Sequence, residues 1–276
     1  MAAFVFPSLD PIAFRLGPLA VRWYGLAYMV AFLAGWLILK WLDERWGLEL
    51  GPDGRAEAVL AAVIGVVAGG RLGYVFFYGA GAYWREPIRI IQMWDGGMSF
   101  HGGLAGILIA GLWIARRYNV PFLRLTDAGS VAAPIGLFLG RIANFINDEL
   151  WGRVTTSPWG VVFPNAGPLP RHPSQLYEAG LEGVVLFGVM LLLTRRDRPA
   201  GEITGWLLTL YAVFRIFVEF FREPDIQIGF LAGGITMGQV LTIPVLLAGL
   251  WLLWRARRER DAATAGPDQA TEVRAE

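Results

Sequence analysis

The sequence predicts an all-α, polytopic membrane protein with seven transmembrane helices. Three observations support this prediction. Hydrophobic residues make up 55% of the 276 residues and charged residues 17%, which is below the quarter or so that is usual in soluble domains. The mean hydropathy is +0.47. Apolar runs of about 20 residues, the length that crosses a bilayer, recur along the chain.

Seven segments have the length and apolar character of a membrane span. The third, fourth and sixth also carry ionisable residues, so hydropathy alone ranks them lower. The predicted spans cover residues 21–41, 57–79, 97–115, 127–146, 174–194, 203–221 and 236–254. We expect residues 1–258 to form one transmembrane domain. The polar composition of residues 259–276 predicts a disordered cytoplasmic tail.

The segments between the spans differ in positive charge. If the N-terminus lies outside, thirteen Lys and Arg residues fall in inside segments and seven in outside segments. Positive residues concentrate on the cytoplasmic side of membrane proteins. The sequence therefore predicts a periplasmic N-terminus and a cytoplasmic C-terminus. The Pro- and Gly-rich loop 150–173, with a candidate short strand in "WGVVF", would form a small periplasmic head.

The residue inventory excludes several kinds of site. The chain has no cysteine, which excludes disulfides, thiolate metal sites and a cysteine nucleophile of its own. Only two histidines are present, so we do not expect a His-rich metal site. We also expect no bound cofactor. The net charge of +1 gives no reason to expect a nucleic-acid partner.

Glycines recur at four-residue spacing in three predicted spans. They are Gly65, Gly69 and Gly73; Gly102 and Gly106; and Gly136 and Gly140. Small residues at this spacing let helix backbones approach closely in lipid. We therefore interpret them as packing residues.

Polar residues cluster where the fourth span ends, in "GRIANFINDELWG" at 140–152. At 100° per residue, Arg141, Asn144 and Asp148 share one helical face within an arc of about 60°. Asn147 lies next to that face. Glu149 would point away from it if the helix continued.

The sixth span carries a second polar stripe of Tyr211, Arg215, Glu219 and Arg222. These residues share an arc of about 80°. One interpretation is that Arg215 and Glu219 only neutralise each other along the helix. Charges at membrane depth are costly, however, and usually face a cavity or a partner. Two spans with an Arg stripe near the same outer end favour a shared site.

Five further residues have both a structural and a functional interpretation. His101 is either a packing residue or a site residue exposed by its flanking glycines, and Tyr24 is by default an aromatic of the membrane interface. Arg71 is another intramembrane charge. We expect His172 to help cap the fifth span and Asp127 to cap the fourth.

Arginines that converge within a helical bundle suit a phosphate, because the guanidinium fork matches phosphate oxygens and stays charged when it is desolvated. At the depth of the outer leaflet, the phosphate of a phospholipid headgroup is the natural candidate. The alternatives are a lipid or solute transporter with a basic outer cavity, and a membrane scaffold. The sequence lacks the paired, interrupted helices typical of inverted-repeat transporters.

The stretch "GRIANFINDELWG" resembles the signature of the bacterial prolipoprotein diacylglyceryl transferases, G-R-x-x-N-F-x-N-x-E-x-x-G. The similarity extends to "WYGLAY" at 23–28, "GGRLGY" at 69–74, "GGMSFHGGLAG" at 96–106, "RHPSQLYE" at 171–178 and "YAVFRIFVEFFREPD" at 211–225. It covers most of residues 20–240, with the same seven spans and orientation.

This resemblance implies a multi-pass enzyme of the bacterial inner membrane whose active site faces the periplasm. Such an enzyme moves the sn-1,2-diacylglyceryl group of phosphatidylglycerol onto the lipobox cysteine in the signal peptide of a preprolipoprotein. The product is a thioether, and glycerol 1-phosphate is released. The substrate supplies the thiol, which agrees with a chain that has no cysteine.

The resemblance also implies roles for individual residues. Arg141 and Arg215 would hold the phosphate. Asn144 and Asn147 would orient the headgroup or the neighbouring helix, and Gly152 would permit the turn into the outer loop. His101 is the expected base, a task that Tyr24 or a carboxylate could share. Four further residues would support the site, namely Glu149, Glu219, Tyr211 and Arg222. Of these, Glu149 and Glu219 would orient the arginines.

Overall fold

The computed structural model describes residues 4–7, 9–17, 19–78, 81–92, 96–224 and 229–264. Helices dominate this part of the chain. They are α1 (Trp23–Trp46), α2 (Gly51–Tyr78), α3 (Ala82–Arg85), α4 (Phe100–Arg117), α5 (Phe122–Ile146), α6 (Ser174–Glu178), α7 (Leu186–Leu193), α8 (Glu202–Glu219) and α9 (Met237–Thr264). A π-helix, Ala179–Val185, joins α6 to α7.

Each of the seven predicted spans coincides with a helix. Across the described ranges, five helical segments are long and apolar enough to cross a membrane, namely α1, α2, α5, the continuous run from α6 to α7, and α9. Helices α4 and α8 do not reach that threshold. Helix α8 contains Glu202, Arg215 and Glu219, and α4 has a histidine as its second residue and ends with two arginines. The structure supports a multi-pass helical membrane protein, and the count of seven spans remains a prediction.

Four short strands accompany the helices. Strands β2 (Ile12–Leu16) and β3 (Leu19–Arg22) form an antiparallel pair that the helical prediction did not include. Strand β1 (Phe4–Val5) pairs in parallel with β4 (Val161–Val162), which lies in the stretch "WGVVF". A strand was therefore correctly expected in this loop.

The C-terminal boundary differs from the sequence prediction. Helix α9 extends to Thr264, so residues 259–264 are helical and the disordered tail does not begin at 259. Ion pairs one turn apart, Arg255 with Glu259 and Arg257 with Asp261, lie along this extension. Such i,i+4 pairs stabilise exposed helices modestly. Residues 265–276 lie outside the described part of the chain.

The chain divides into two compact units, and one of them comprises residues 35–128. Its centre is the contact between α2 and α4. A Cβ placed on Gly106 would collide with the carbonyl oxygen of Gly65, and one on Gly69 would collide with that of Gly102. The two helix backbones are therefore in direct contact, which confirms the packing interpretation of these glycines.

The second unit comprises residues 1–34 and 129–276. In this unit the interpretation of the glycines as close-packing residues is not supported. A Cβ on Gly136 would contact only Ala31, at 3.8 Å, and a Cβ on Gly140 would contact nothing within 4 Å. Helices α8 and α9 pack along their length. The loop after α5 rests on a small core of Phe6, Val161 and Phe163, joined by Phe145 and Trp151. This arrangement places the loop directly against the end of α5.

Candidate active site

Helix α5 ends at Ile146, as the sequence predicted. Asp148 and Leu150 then adopt left-handed φ values of 52° and 58°, which non-glycine residues visit rarely. This sharp exit changes which side chains face the helix bundle. Arg141 and Asn144 remain together, since Arg141 Nη1 donates to Asn144 Oδ1 at 3.5 Å.

Asp148 does not join that pair, so the predicted three-residue stripe is wrong at its third position. Its Oδ2 accepts a hydrogen bond from the backbone N–H of Asn165 at 2.8 Å and so holds the loop 150–173. Burial raises the pKa of the Asp148 carboxyl, and the bond from Asn165 opposes this rise. The stripe geometry fails because the helix stops two residues earlier.

Glu149 takes the place expected for Asp148. The Tyr24 hydroxyl donates to Glu149 Oε1. Asn144 Nδ2 donates to the same carboxylate oxygen at 3.0 Å and also to the Tyr24 hydroxyl. Glu149 was expected to orient an arginine, and its described side-chain partners are instead Tyr24 and Asn144. Asn147 lies beside them, and its buried Oδ1 accepts no hydrogen bond from the described residues.

The arginines of the two predicted stripes meet at one carboxylate, that of Glu178. Arg141 Nε contacts Glu178 Oε2, and Arg215 Nη1 donates to Glu178 Oε1 at 2.8 Å. Arg222 Nη1 donates to the same oxygen at 3.2 Å. Glu178 is 1% exposed. The prediction that the two stripes converge is therefore correct in geometry.

Sequence reasoning missed the residues at which they converge. Gln175, Glu178 and Glu182 lie at i, i+3 and i+7 in the fifth predicted span, a polar stripe as regular as the other two. Gln175 Nε2 donates to the Glu149 carbonyl at 2.7 Å. Glu182 lies 3.7 Å from Arg141 Nη2. The sequence feature that could have identified them is the pair of carboxylates, Glu178 and Glu182, which lie four residues apart within an apolar run.

The segment from Glu178 through Glu182 also changes helix type. Residues Ala179–Val185 form a π-helix, a rare geometry that is frequent at functional sites. Gly183 lies within it, and a Cβ there would be 2.6 Å from Phe138 Cβ on α5. The close approach of the π-helix to α5 brings Glu178 and Glu182 to Arg141.

Glu219 pairs with Arg215 at 2.8 Å, as the sequence suggested. It has a second partner, because the Thr236 hydroxyl donates to Glu219 Oε1 at 2.9 Å. A Cβ on Gly238 would lie 2.5 Å from the same oxygen. The start of α9 therefore fixes this carboxylate, and Arg215 is held between Glu219 and Glu178.

Tyr211, Arg153 and Gly152 surround this cluster. Tyr211 is partly buried on α8, one turn before Arg215. Arg153 donates to the carbonyls of Arg222 and Glu219, at 2.9 and 3.1 Å, and so caps the end of α8. A Cβ on Gly152 would lie 2.5 Å from the His172 carbonyl oxygen. Close backbone approach, rather than the expected turn conformation, therefore requires glycine there.

His101 belongs to the unit of residues 35–128. It lies in the first turn of α4, where the Ser99 hydroxyl caps the helix by accepting from Gly102 N at 3.2 Å. The His101 side chain is exposed. Its backbone is held by the close contact of α2 and α4, because a Cβ on Gly73 would lie 2.8 Å from Gly102 Cα.

Two expected helix caps are wrong. Asp127 lies inside α5, which begins five residues earlier at Phe122. The His172 ring contacts the Tyr177 hydroxyl at 3.1 Å, and it is the His172 carbonyl that accepts from Ser174 N, at 2.8 Å. Burial lowers the pKa of the His172 imidazole. Arg71 is a buried charge as expected, and its partners are backbone carbonyls.

The cluster can bind an anion through the donors of Arg141. Among the described residues, both terminal nitrogens of its guanidinium make only long contacts, 3.5 Å to Asn144 and 3.7 Å to Glu182. Arg215, by contrast, holds two carboxylates at 2.8 Å each. In a setting of low dielectric, a guanidinium with unsaturated donors binds phosphate oxygens strongly.

Comparison with known proteins gives a consistent result. A family model described as prolipoprotein diacylglyceryl transferase matches residues 11–255. The chain is 51% identical over 245 residues to the phosphatidylglycerol–prolipoprotein diacylglyceryl transferase of Geobacter sulfurreducens, covering 89% of this chain and 94% of the relative. It is 52% identical over 270 residues to the protein of the same name from Rhizobium leguminosarum, covering 94% and 96%.

Proposed function

Because the chain belongs to the prolipoprotein diacylglyceryl transferase family, we propose that it transfers the sn-1,2-diacylglyceryl group of phosphatidylglycerol to preprolipoproteins. The acceptor is the thiol of the lipobox cysteine in the signal peptide. This reaction is the first step of bacterial lipoprotein maturation. The chain supplies no cysteine of its own, so both reacting groups come from substrates.

The chemistry is an alkylation of sulfur. A bond forms between the cysteine sulfur and the terminal carbon of the diacylglyceryl group, and the bond from that carbon to the phosphate oxygen breaks. The thiol proton passes to a base, and the electron pair leaves with glycerol 1-phosphate. The phosphate gains negative charge as it departs. Cationic donors that point at the departing phosphate oxygen stabilise the transition state more than the ground state.

The geometric observation that supports this function is that the terminal nitrogens of Arg141 make only long contacts with the described residues, so they can donate to a phosphate. We assign phosphate binding to its two terminal nitrogens, with Asn144 and Asn147 orienting the glycerol headgroup. Arg215 then acts through Glu178, which it holds in place for Arg141 at 2.8 Å. This assignment divides the two arginines into one ligand and one support, whereas the sequence suggested a pair of ligands.

Two groups are candidates for the base. His101 has an exposed imidazole, and histidine is the side chain that most often serves as a general base. Tyr24 donates to Glu149, so the thiol proton could pass to the tyrosine oxygen as the hydroxyl proton passes to that carboxylate. We favour His101, since its ring needs no relay, and treat the Tyr24–Glu149 pair as the second candidate.

We further propose that the protein is a multi-pass protein of the inner membrane, with the N-terminus and the active site on the periplasmic side. The excess of Lys and Arg in the segments assigned to the inside supports this orientation. The arginine cluster adjoins the end of α5 that leads into the outer loop. A phospholipid in the outer leaflet would present its phosphate at that level.

Reconstitution tests the function directly. The purified full-length protein is placed in vesicles with phosphatidylglycerol labelled in its acyl chains and with a lipobox peptide. We expect a diacylglyceryl mass gain on the peptide and none on a peptide with serine in place of cysteine. Flux of labelled lipid between leaflets without peptide modification would instead indicate a transporter.

A further inference from the structure

Arg71 on α2 is 4% exposed, and its guanidinium binds one short stretch of backbone. Nε donates to the Ile90 carbonyl at 2.8 Å. Nη2 donates to the carbonyls of Arg89 and Gln92, at 2.5 and 3.0 Å. Nη1 donates to the Gly97 carbonyl at 3.0 Å and also to the Gly96 carbonyl.

These five bonds use all five N–H donors of the side chain. Arg71 therefore has no donor left for a substrate, and among the described residues no carboxylate forms an ion pair with it. The ring of Tyr83 lies 5.3 Å from its guanidinium carbon and adds a cation–π contact. The charge is stabilised by carbonyl dipoles and by a ring, which is the arrangement of a structural clamp.

The clamped stretch begins at the end of a 3-10 helix, Pro87–Ile90, and has no regular secondary structure at Gln92, Gly96 and Gly97, where it also approaches α2, a predicted membrane span. Backbone carbonyls at such a position have few other donors, and each one left unbonded in an apolar setting costs several kcal/mol. Gly96 and Gly97 have φ values of 80° and 85°. A Cβ on Gly97 would lie 2.5 Å from Tyr74 Cε1, so the path of this stretch is fixed by contacts as well as by Arg71.

The clamp leads directly to His101. Two residues after Gly97, Ser99 N donates to the Gly70 carbonyl at 2.8 Å, and Ser99 caps α4. Gly70 precedes Arg71 in α2. The same turn of α2 therefore holds both the incoming stretch and the N-cap residue of the helix that carries His101.

We infer that Arg71 is a positioning residue for His101. It fixes the backbone of residues 89–92 and 96–97, and through it the start of α4, so that the imidazole meets the acceptor thiol at a constant position. The inference rests on the proposed role of His101 in the transfer reaction. Arg71 itself touches no substrate.

The test compares Arg71→Gln, Arg71→Lys and, as a matched control, Arg89→Gln. The control removes a guanidinium from the clamped stretch itself, where the Arg89 side chain is 52% exposed, and it keeps the Arg89 carbonyl. Backbone amide hydrogen exchange of peptides covering 96–106 is measured by mass spectrometry on the full chain. The kcat and the KM for phosphatidylglycerol are measured in the same vesicles.

In Arg71→Gln we expect exchange over 96–106 to accelerate at least about tenfold. We expect kcat to fall about 100-fold, the cost of misplacing a reacting group by about 1 Å, and KM to change by less than about twofold. Arg71→Lys, with three donors, should recover part of both losses. Arg89→Gln should match the wild type in both measurements.

Unchanged exchange in Arg71→Gln would overturn the clamp. Faster exchange with a normal kcat would overturn the positioning of His101. If the wild type modifies no peptide, the proposed function fails, and the exchange data still decide whether Arg71 clamps α4. Should Arg71→Gln not insert, Gly97→Ala disturbs the same stretch against Tyr74. A normal kcat in that variant would also contradict the inference.

Discussion

Arg215 Nη1 donates to Glu178 Oε1 at 2.8 Å and joins α8 to α6. The same carboxylate contacts Arg141 on α5, so one buried anion links three helices. Because Glu178 is almost fully buried, its charge is tolerable only while the guanidinium groups remain around it. The stability of the helices and the shape of the phosphate site therefore depend on the same group.

Replacing Glu178 with glutamine should damage both properties. Breaking a buried ion pair by removing one partner costs about 3–5 kcal/mol, since the remaining charge is left without compensation. We expect a lower unfolding temperature in detergent and a loss of kcat/KM of at least about 100-fold. Glu259→Gln, which removes an exposed partner of Arg255, is the control and should be neutral. Wild-type activity in Glu178→Gln would show that the cluster does not shape the site.

Arg141 and Arg215 should respond differently to lysine. Alanine at either position is expected to abolish thioether formation while the protein still inserts. Arg141→Lys should mainly lower kcat and kcat/KM for phosphatidylglycerol, by about tenfold, because a lysine replaces the planar fork that holds the departing phosphate with a point charge. Arg215→Lys should mainly lower the unfolding temperature, because Arg215 holds Glu178 and Glu219 together. Steady-state kinetics and thermal unfolding separate the two effects, and identical profiles would contradict the division of roles.

The identity of the base can be read from turnover numbers. If His101 accepts the thiol proton, His101→Gln should lower kcat by about 10²–10⁴-fold. Tyr24→Phe removes the donor to Glu149 and should then lower kcat by a smaller factor. His172→Gln is the matched control, because the chain has only two histidines. Near-normal turnover in His101→Gln would exclude it as an obligatory base and favour the Tyr24–Glu149 pair.

Asp148 should make the stability of the loop 150–173 depend on pH. Burial raises the pKa of the Asp148 carboxyl in the folded protein above its pKa in the unfolded chain. The contribution of this group to folding stability is therefore complete when the pH is below the unfolded-state pKa, and it is lost as the pH rises through the folded-state pKa. Once the group is ionised, its charge opposes folding. Asp148→Asn should therefore raise the unfolding temperature at pH 8, and this gain should shrink towards pH 4. The exposed Asp197→Asn is the control, and a gain that is independent of pH would contradict the prediction.

The sequence anticipated the positions of the helices better than the partners of the polar residues. Helical periodicity sufficed to bring Arg141 and Arg215 to a common site, because each residue shares its helical face with other polar groups. Helical periodicity gave the wrong directions for the side chains of Asp148 and Glu149. Asp148 has a left-handed backbone conformation just past the end of α5, so the two side chains exchange the directions that a continued helix would give them. No local rule signals that reversal, since the loop contact with Asn165 decides it.

Glu178 and Glu182 were within reach of the same reasoning, because their spacing forms a stripe with Gln175. They were missed because the fifth predicted span scores as apolar on average, which hides individual carboxylates. The β2–β3 hairpin depends on pairing across a turn at Gly17. The short strand β1 depends on a partner more than 150 residues away, at β4, and such distant pairing has no local signal.

The contact between α2 and α4 gives a prediction about stability alone. A methyl group on Gly106 has no space, because its Cβ would collide with the Gly65 carbonyl, and separating two backbones in a packed interface costs about 1–3 kcal/mol or more. We expect Gly106→Ala to lower the unfolding temperature and to speed hydrogen exchange in α2 and α4 together. Gly188→Ala in α7 is the control. A Cβ there meets nothing within 4 Å, so alanine should be neutral or slightly stabilising through its helix propensity. Equal stability of the two variants would show that direct backbone contact does not hold these helices together.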